Sequence, residues 1–259
     1  MFAARLAFQS PKVAGPPITN PVIGMTAQST AQTTTSEKKF GTASYIASNG
    51  SSYILNTSGD YAWWPSGTGN FTIQWWQYIP SGAITGSQRP HICSNEMTTN
   101  IGPGNAGGFG CRFGRGYSEG TIDAINIFAR GHADLDYWDI TWTRNTWQFV
   151  SICRNTTAGA IYVHVDGVSL GAASGGSGAY ARNYVATSGL NKIQIGNSGD
   201  AGLNGIYLDD FQVLAATALY TSASYSVPSS QAILQTGTTA LFNMNGSNGG
   251  TSFPNVTSN

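Results

Sequence analysis

Between Trp147 and Leu170 the sequence leaves little room for anything but antiparallel β-structure. Trp147, Phe149, Ser151 and Cys153 fall on one face of an extended chain, and Gln148, Val150, Ile152 and Arg154 on the other. Asn155 to Gly159 are turn-forming residues, after which Ile161, Val163 and Val165 alternate with Tyr162, His164 and Asp166. Asp166-Gly167 then predicts a tight hairpin turn, because a type I′ turn needs positive φ at both central positions. The stretch therefore reads as two strands, a connecting turn and a second turn that folds the chain back again.

The same grammar runs through most of the chain. Phe71 to Ile79 places Phe71, Ile73, Trp75 and Ile79 on one face and Thr72, Gln74, Trp76 and Tyr78 on the other. Apolar groups on both faces predict a strand covered on both sides, at least in part. Shorter candidates follow at His91–Cys93, Phe109–Phe113, Ile122–Ala129, Tyr137–Thr143, Lys192–Gly196, Gly205–Leu214 and Ala240–Asn245, separated by glycine-rich loops. Helical periodicity is nearly absent. Many short strands without intervening helices predict an all-β sandwich or barrel, and 259 residues suffice for one such domain.

Charge sets the next limit. Charged residues make up 9 % of the chain, against roughly a quarter in an average soluble protein. Lys+Arg and Asp+Glu balance at 12 each, so there is no electrostatic reason to expect nucleic acid or an anionic membrane as partner. The 41 % hydrophobic content argues against disorder. Residues 1–39 differ from the rest. Pro11, Pro16, Pro17 and Pro21 break helices, and Thr26 to Ser36 is a Ser/Thr/Gln/Ala tract without periodicity. Phe2, Leu6, Phe8, Val13, Ile18, Val22 and Ile23 dot this stretch, which reads either as a floppy tail or as an extended arm that orders on a sister subunit. The expected division is an arm at 1–39 and a sandwich at 40–259. The opening residues carry Arg5 and too short an apolar run for a secretory signal, so export by that route is not expected. Cys93, Cys111 and Cys153 show no metal-ligand spacing; Cys153 is expected as a buried free thiol, and Cys93 and Cys111 are compatible with either a bridge or free thiols.

The succession Phe40-Gly41-Thr42-Ala43-Ser44, Gly59-Asp60-Tyr61, Phe71-Thr72-Ile73-Gln74-Trp75-Trp76, Trp147-Gln148-Phe149-Val150, Tyr162 to Val168, Ile193-Gln194-Ile195-Gly196 and Leu208-Asp209-Asp210-Phe211 resembles the laminin-G-like branch of the concanavalin A-like lectin/glucanase superfamily. The resemblance covers roughly Phe40 to Pro228 and implies a jelly-roll sandwich of two antiparallel sheets. Leu219 to Pro228 also resembles the tail these domains carry in bacteriophage structural proteins. In those relatives a strand like Ala240 to Gly246 opens the domain, whereas here it lies near the other end, where it is expected to pair back as a terminal strand.

This likeness implies a virion structural protein, such as a head decoration, fibre or tail appendage. Such a protein would be homo-oligomeric, docked on other virion proteins or sister subunits through residues 1–39, and able to bind host-surface glycans. A secreted adhesion module is the alternative without a virion. Sugar rings stack on aromatic faces, and Trp63, Trp64, Tyr137, Trp138 and Trp142 are the expected contacts. The superfamily also contains glucanases, whose Glu-x-Asp-x-x-Glu strand resembles Asp134-Leu135-Asp136-Tyr137-Trp138-Asp139. A retaining glycosidase needs two carboxyl groups about 5–5.5 Å apart; aspartates at both glutamate positions would be pulled back from the sugar, so Asp134 and Asp139 are not expected to catalyse. Calcium-binding relatives use loop carboxylates. Asp60, Asp200, Asp209 and Asp210 are the available donors, but no dense acidic loop gathers them, so neither metal nor other cofactor is assigned.

Overall fold

A computed structural model of the chain describes residues 24–47, 52–56, 62–83, 90–95, 108–115, 122–130, 134–176, 179–181, 183–184, 193–196, 203 and 205–256. Among these residues are seventeen strands and no helix. In chain order they begin β1 (Gly24–Gln28), β2 (Gln32–Thr34), β3 (Ser44–Ile46), β4 (Tyr53–Leu55), β5 (Phe71–Tyr78), β6 (His91–Asn95), β7 (Gly108–Phe113), β8 (Ala124–Arg130) and β9 (Asp134–Asp139). They continue β10 (Trp147–Asn155), β11 (Ala160–Val165), β12 (Val168–Ser169), β13 (Gly175–Gly176), β14 (Ile193–Ile195), β15 (Tyr207–Leu214), β16 (Ala240–Phe242) and β17 (Ser252–Pro254).

Two antiparallel sheets pack as a sandwich, the all-β jelly-roll arrangement expected from the sequence. The first sheet runs β13-β9-β8-β7-β6-β14-β4-β1-β17, and the second β12-β11-β10-β5-β15-β3-β2 with β16 also on β15. Strand β5 lies between β10 and β15 at the middle of the second sheet. Its Phe71, Ile73 and Trp75 are fully buried in the shared core, where Trp75 stacks on Phe211 at 6.1 Å. From the first sheet come Phe109, Cys111, Phe113, Ile125, Ile127, Ile193 and Ile195.

The other face of β5 is buried as well. Thr72, Gln74 and Trp76 point away from the core, yet the irregular segment 215–239 lies across most of this face. The hydroxyl of Thr72 donates to the Thr217 carbonyl at 2.8 Å and accepts the Leu219 N–H at 2.9 Å. Gln212 Nε2 donates to the Ile233 carbonyl at 3.1 Å and to Thr238 Oγ1 at 2.8 Å. Ser151 Oγ and the Tyr225 hydroxyl are 2.9 Å apart, and His164 Nε2 donates to the Ser222 carbonyl at 2.8 Å. Tyr220 and Tyr225 stack at 3.8 Å, both edge-on to Phe149. Thr72, His164 and Gln212, which would otherwise face water, are thereby paired with backbone, and Ser151 with a phenol hydroxyl.

The hairpin read from the sequence is present. Asp166 and Gly167 have φ of 50° and 78°, and the Asp166 carboxylate accepts the Phe149 N–H at 2.8 Å. A Cβ at Gly167 would sit 2.2 Å from the Tyr225 carbonyl oxygen, so both backbone conformation and space demand glycine.

Two expectations about the ends of the sandwich meet different outcomes. The strand at 240–245 does pair back, with Ala240, Leu241 and Phe242 opposite Val213, Gln212 and Phe211. The boundary at residues 39 and 40 is wrong. β1 pairs with β4 and β17 and β2 pairs with β3, so residues 24–34 belong to the sheets. Met25 in β1 and Thr33 and Thr34 in β2 are buried, strand character that the Thr and Gln content disguises as low complexity. Residues 1–23, the rest of the expected arm, lie outside the described residues.

Arg154 shows how strictly the interior is fitted. It lies on the core-facing side of β10, is 0 % exposed, and has its guanidinium 5.0 Å from the Phe71 ring and 5.1 Å from that of Tyr184. Nε donates to the Gly69 carbonyl at 2.6 Å and Nη2 to the Gly67 carbonyl at 2.9 Å. The planar fork thus ties β10 to the loop entering β5. Lysine keeps the charge but cannot stack or bond in this geometry. Arg154→Lys is expected to lower stability by about 2 kcal/mol, seen as a lower urea midpoint with an unchanged slope.

Candidate functional site

The aromatic residues expected to form a sugar platform are not on one surface. Trp63, Trp64, Trp138 and Trp142 are 2 %, 0 %, 2 % and 4 % exposed. Trp63 and Trp64 pack edge-to-face on each other, on Phe242 and on Phe109. Trp142 packs against Phe113 and donates from Nε1 to the Ile122 carbonyl at 2.7 Å, while Trp138 Nε1 donates to the Gly171 carbonyl at 3.1 Å. These four are buried residues of the hydrophobic core, which corrects the expectation. Tyr137 is half-buried, its ring so close over Gly175 that a Cβ there would lie 2.5 Å from the phenol oxygen.

The acidic strand β9 is held by structural bonds. Asp139 Oδ1 accepts the Arg115 Nε–H at 2.5 Å, and Asp136 Oδ2 accepts the Ala179 N–H at 3.0 Å. The side chain of Asp134 lies outside the described residues, as do Asp60 and Asp200.

A different aromatic group forms a surface. Tyr207, Tyr78 and Trp147 stand side by side on β15, β5 and β10, each directly opposite the next in register, with ring centroids 5.7 Å apart at both steps. Ile46 of β3 extends the row beyond Tyr207. All four side chains are only partly buried. Their place follows from alternation: each occupies the face turned away from the core, at the end of the sheet that segment 215–239 does not reach. The phenol pKa of Tyr78 is raised, first by lost hydration and then by the neighbouring Glu37 and Tyr207. At one margin Ser81 and Asn145 are locked together, the Ser81 N–H donating to Asn145 Oδ1 at 2.8 Å and Asn145 Nδ2 to Ser81 Oγ at 2.5 Å. The planes of Tyr78 and Trp147 are inclined by 52° and those of Tyr78 and Tyr207 by 86°, so the row is a ridged aromatic strip across adjacent strands, with polar residues beside it, whose ring faces and edges can contact the apolar side of a ligand. Alternation along Phe71–Ile79 and Trp147–Arg154 assigns Tyr78 and Trp147 to the same side as Trp76 and Phe149; what the sequence does not show is which of these remain uncovered.

No protein-family model matches the chain, and no curated protein matches it. Among solved structures it is similar to the binding domain of botulinum neurotoxin serotype G, at 13 % identity and a TM-score of 0.46, over 78 % of this chain and 49 % of that one. A botulinum neurotoxin type C structure matches at 11 % identity and 0.49, over 76 % and 44 %. Tailspike protein 2 of Escherichia coli O157:H7 bacteriophage CAB120 matches at 10 % identity and 0.47, over 80 % of this chain and 27 % of the tailspike. The chain thus matches half or less of the length of each of these structures. Likenesses this distant assign neither ligand nor activity.

Where the aromatic strip ends, a buried carboxylate holds the cover in place. Asp209 Oδ2 accepts the N–H groups of Lys39 and Phe40 at 3.0 and 3.1 Å, which puts Lys39 Nζ 4.0 Å above the Trp76 ring with Phe40 edge-on to it. Asp210, in a β-bulge with φ of 47°, accepts the Ala232 N–H at 2.7 Å and Asn243 Nδ2 at 2.8 Å. Burial dominates both groups: despite these donors, the pKa of Asp209 rises to about 7 and that of Asp210 to about 6 from an ordinary 3.8. The folded chain therefore binds protons that the unfolded chain has released between these values. The resulting stabilisation is full below pH 3.8 and is lost as pH rises through 6 to 7. Urea midpoints are accordingly expected to fall between pH 5 and pH 8, and Asp210→Asn, which keeps one acceptor oxygen and cannot ionise, to flatten that dependence.

Proposed function

We propose that this protein is a non-catalytic virion surface module of a phage, a head decoration, fibre or tail appendage, and that it attaches to host-surface glycans through the strip Tyr207–Tyr78–Trp147. The observation that carries the binding reading is the strip itself: three partly exposed rings, 5.7 Å apart, on a rigid sheet. Aromatic side chains held on a sheet give up little entropy on binding and offer apolar faces to the C–H side of a pyranose, while flanking polar groups can meet its hydroxyls. Supporting the virion reading is the order of short motifs from Phe40 to Pro228, which resembles phage structural domains. The non-catalytic reading draws on β9, where Asp136 and Asp139 are engaged by a backbone N–H and by Arg115.

On a glycan array the wild-type protein is expected to retain a limited set of polysaccharide or oligosaccharide ligands. Trp147→Ala should weaken that binding about tenfold or more while leaving the thermal unfolding profile nearly unchanged. No retained glycan, or retention unaffected by Trp147→Ala and Tyr207→Ala alike, overturns the binding reading. Release of new reducing ends from any retained glycan overturns the non-catalytic one.

A further inference from the structure

All three cysteines are buried and unbridged, but only two of them meet. Cys93 of β6 and Cys111 of β7 stand directly opposite each other in the antiparallel register, with their sulfurs 3.2 Å apart inside the core. Directly opposed residues on antiparallel strands have Cα atoms about 4.5 or 5.5 Å apart, and a disulfide accepts roughly 4.4–6.8 Å. Cys153 is in the second sheet, opposite Thr72 and Tyr162 on the face turned away from this core, and so is not placed to compete.

We propose that Cys93 and Cys111 are a disulfide site, bridging β6 to β7 when the chain folds in the presence of a small-molecule disulfide of the glutathione type. One cysteine thiolate attacks the glutathione disulfide, forming a mixed disulfide and releasing one glutathione thiolate. The second cysteine thiolate then attacks the protein sulfur of that mixed disulfide and expels the other. The protein loses two electrons and two protons, and two glutathione thiols form. In the folded geometry the sulfurs need only close from 3.2 Å to about 2.05 Å.

Burial sets when this happens. Both side chains are 0 % exposed, and loss of hydration, followed by the contact with Cys111, raises the Cys93 pKa well above that of a free thiol. Little thiolate forms there and no oxidant reaches it. The bridge therefore closes while β6 and β7 are still assembling, and the finished fold then shields it from reductant. This inference is independent of the glycan reading, since the pair lies in the interior and the strip on the outer face of the other sheet.

The test is refolding of the reduced, denatured full-length protein in a glutathione redox buffer, followed by intact mass and non-reducing peptide mapping. Expected are the loss of two hydrogens, a single cross-link joining the Cys93 and Cys111 peptides, and a Cys153 that remains alkylatable after denaturation. The oxidised form should melt roughly 5–10 °C above the same protein kept in dithiothreitol. Folded, reduced protein placed in the same buffer should oxidise at least tenfold more slowly than the refolding chain. Three free thiols after refolding, adducts that stop at glutathione, or a bridge that includes Cys153 each overturn the proposal. No substituted protein is needed, so a variant that fails to fold cannot obscure the outcome.

Discussion

The structure depends on β5 carrying large aromatic residues on both faces. A strand of a two-layer sandwich ordinarily buries one face and wets the other. Here Phe71, Ile73 and Trp75 build the core between the sheets, and Trp76 on the opposite face also has to leave water. The chain meets this demand with a third, irregular layer. Segment 215–239 crosses the outer face of the second sheet, and Lys39 and Phe40 reach over Trp76. An irregular segment can lie against a sheet only if its backbone finds partners, and Thr72, His164 and Gln212 provide them.

That layer also delimits the candidate site. Trp76 and Phe149 are covered, whereas Tyr78 and Trp147, two residues away on the same strands and the same face, are not. The difference between core and surface along one row of aromatics is decided by where Asp209 pins the backbone of residues 39 and 40. A buried carboxylate is an expensive tether, and its raised pKa reflects first how little water reaches it and then the neighbouring Asp210 carboxylate, against the backbone N–H groups that pull it down. The site is thus exposed by the limits of its cover, while its floor is as rigid as the sheet.

Period-two alternation made the fold legible. It identified β5, β10, β11 and β15, and Asp166-Gly167 located the hairpin turn through the backbone conformation it requires. It also placed Cys153 on a buried face. It did not reveal β1 and β2, whose Thr- and Gln-rich residues look like linker and one of whose partners, β17, lies far along the chain. The candidate site was harder still. Trp63, Trp64, Trp138 and Trp142 attract notice by type, yet a tryptophan has the most to gain from burial and all four are buried. The useful aromatics were in plain view on predicted strands. The paths of segment 215–239 and of residues 39 and 40, which have no regular structure to predict, determine that Tyr78, Trp147 and Tyr207 remain partly open.

The pairing of β1 with β17 has a bearing on synthesis. Gly24, Met25 and Thr26 wait for Pro254, Phe253 and Ser252, and the β2 residue Thr33 exchanges hydrogen bonds with Gly249 and Gly250. Both sheets therefore include strands near residue 30 whose outer neighbours, near residue 250, are translated much later. A chain emerging from the ribosome cannot complete either sheet until residues near 254 are available, and until then the exposed edges of early strands can pair with another nascent copy. Such a protein folds late and slowly, because its ordering depends on contacts between distant parts of the chain. High local concentrations of unfinished copies are the condition in which it is most vulnerable.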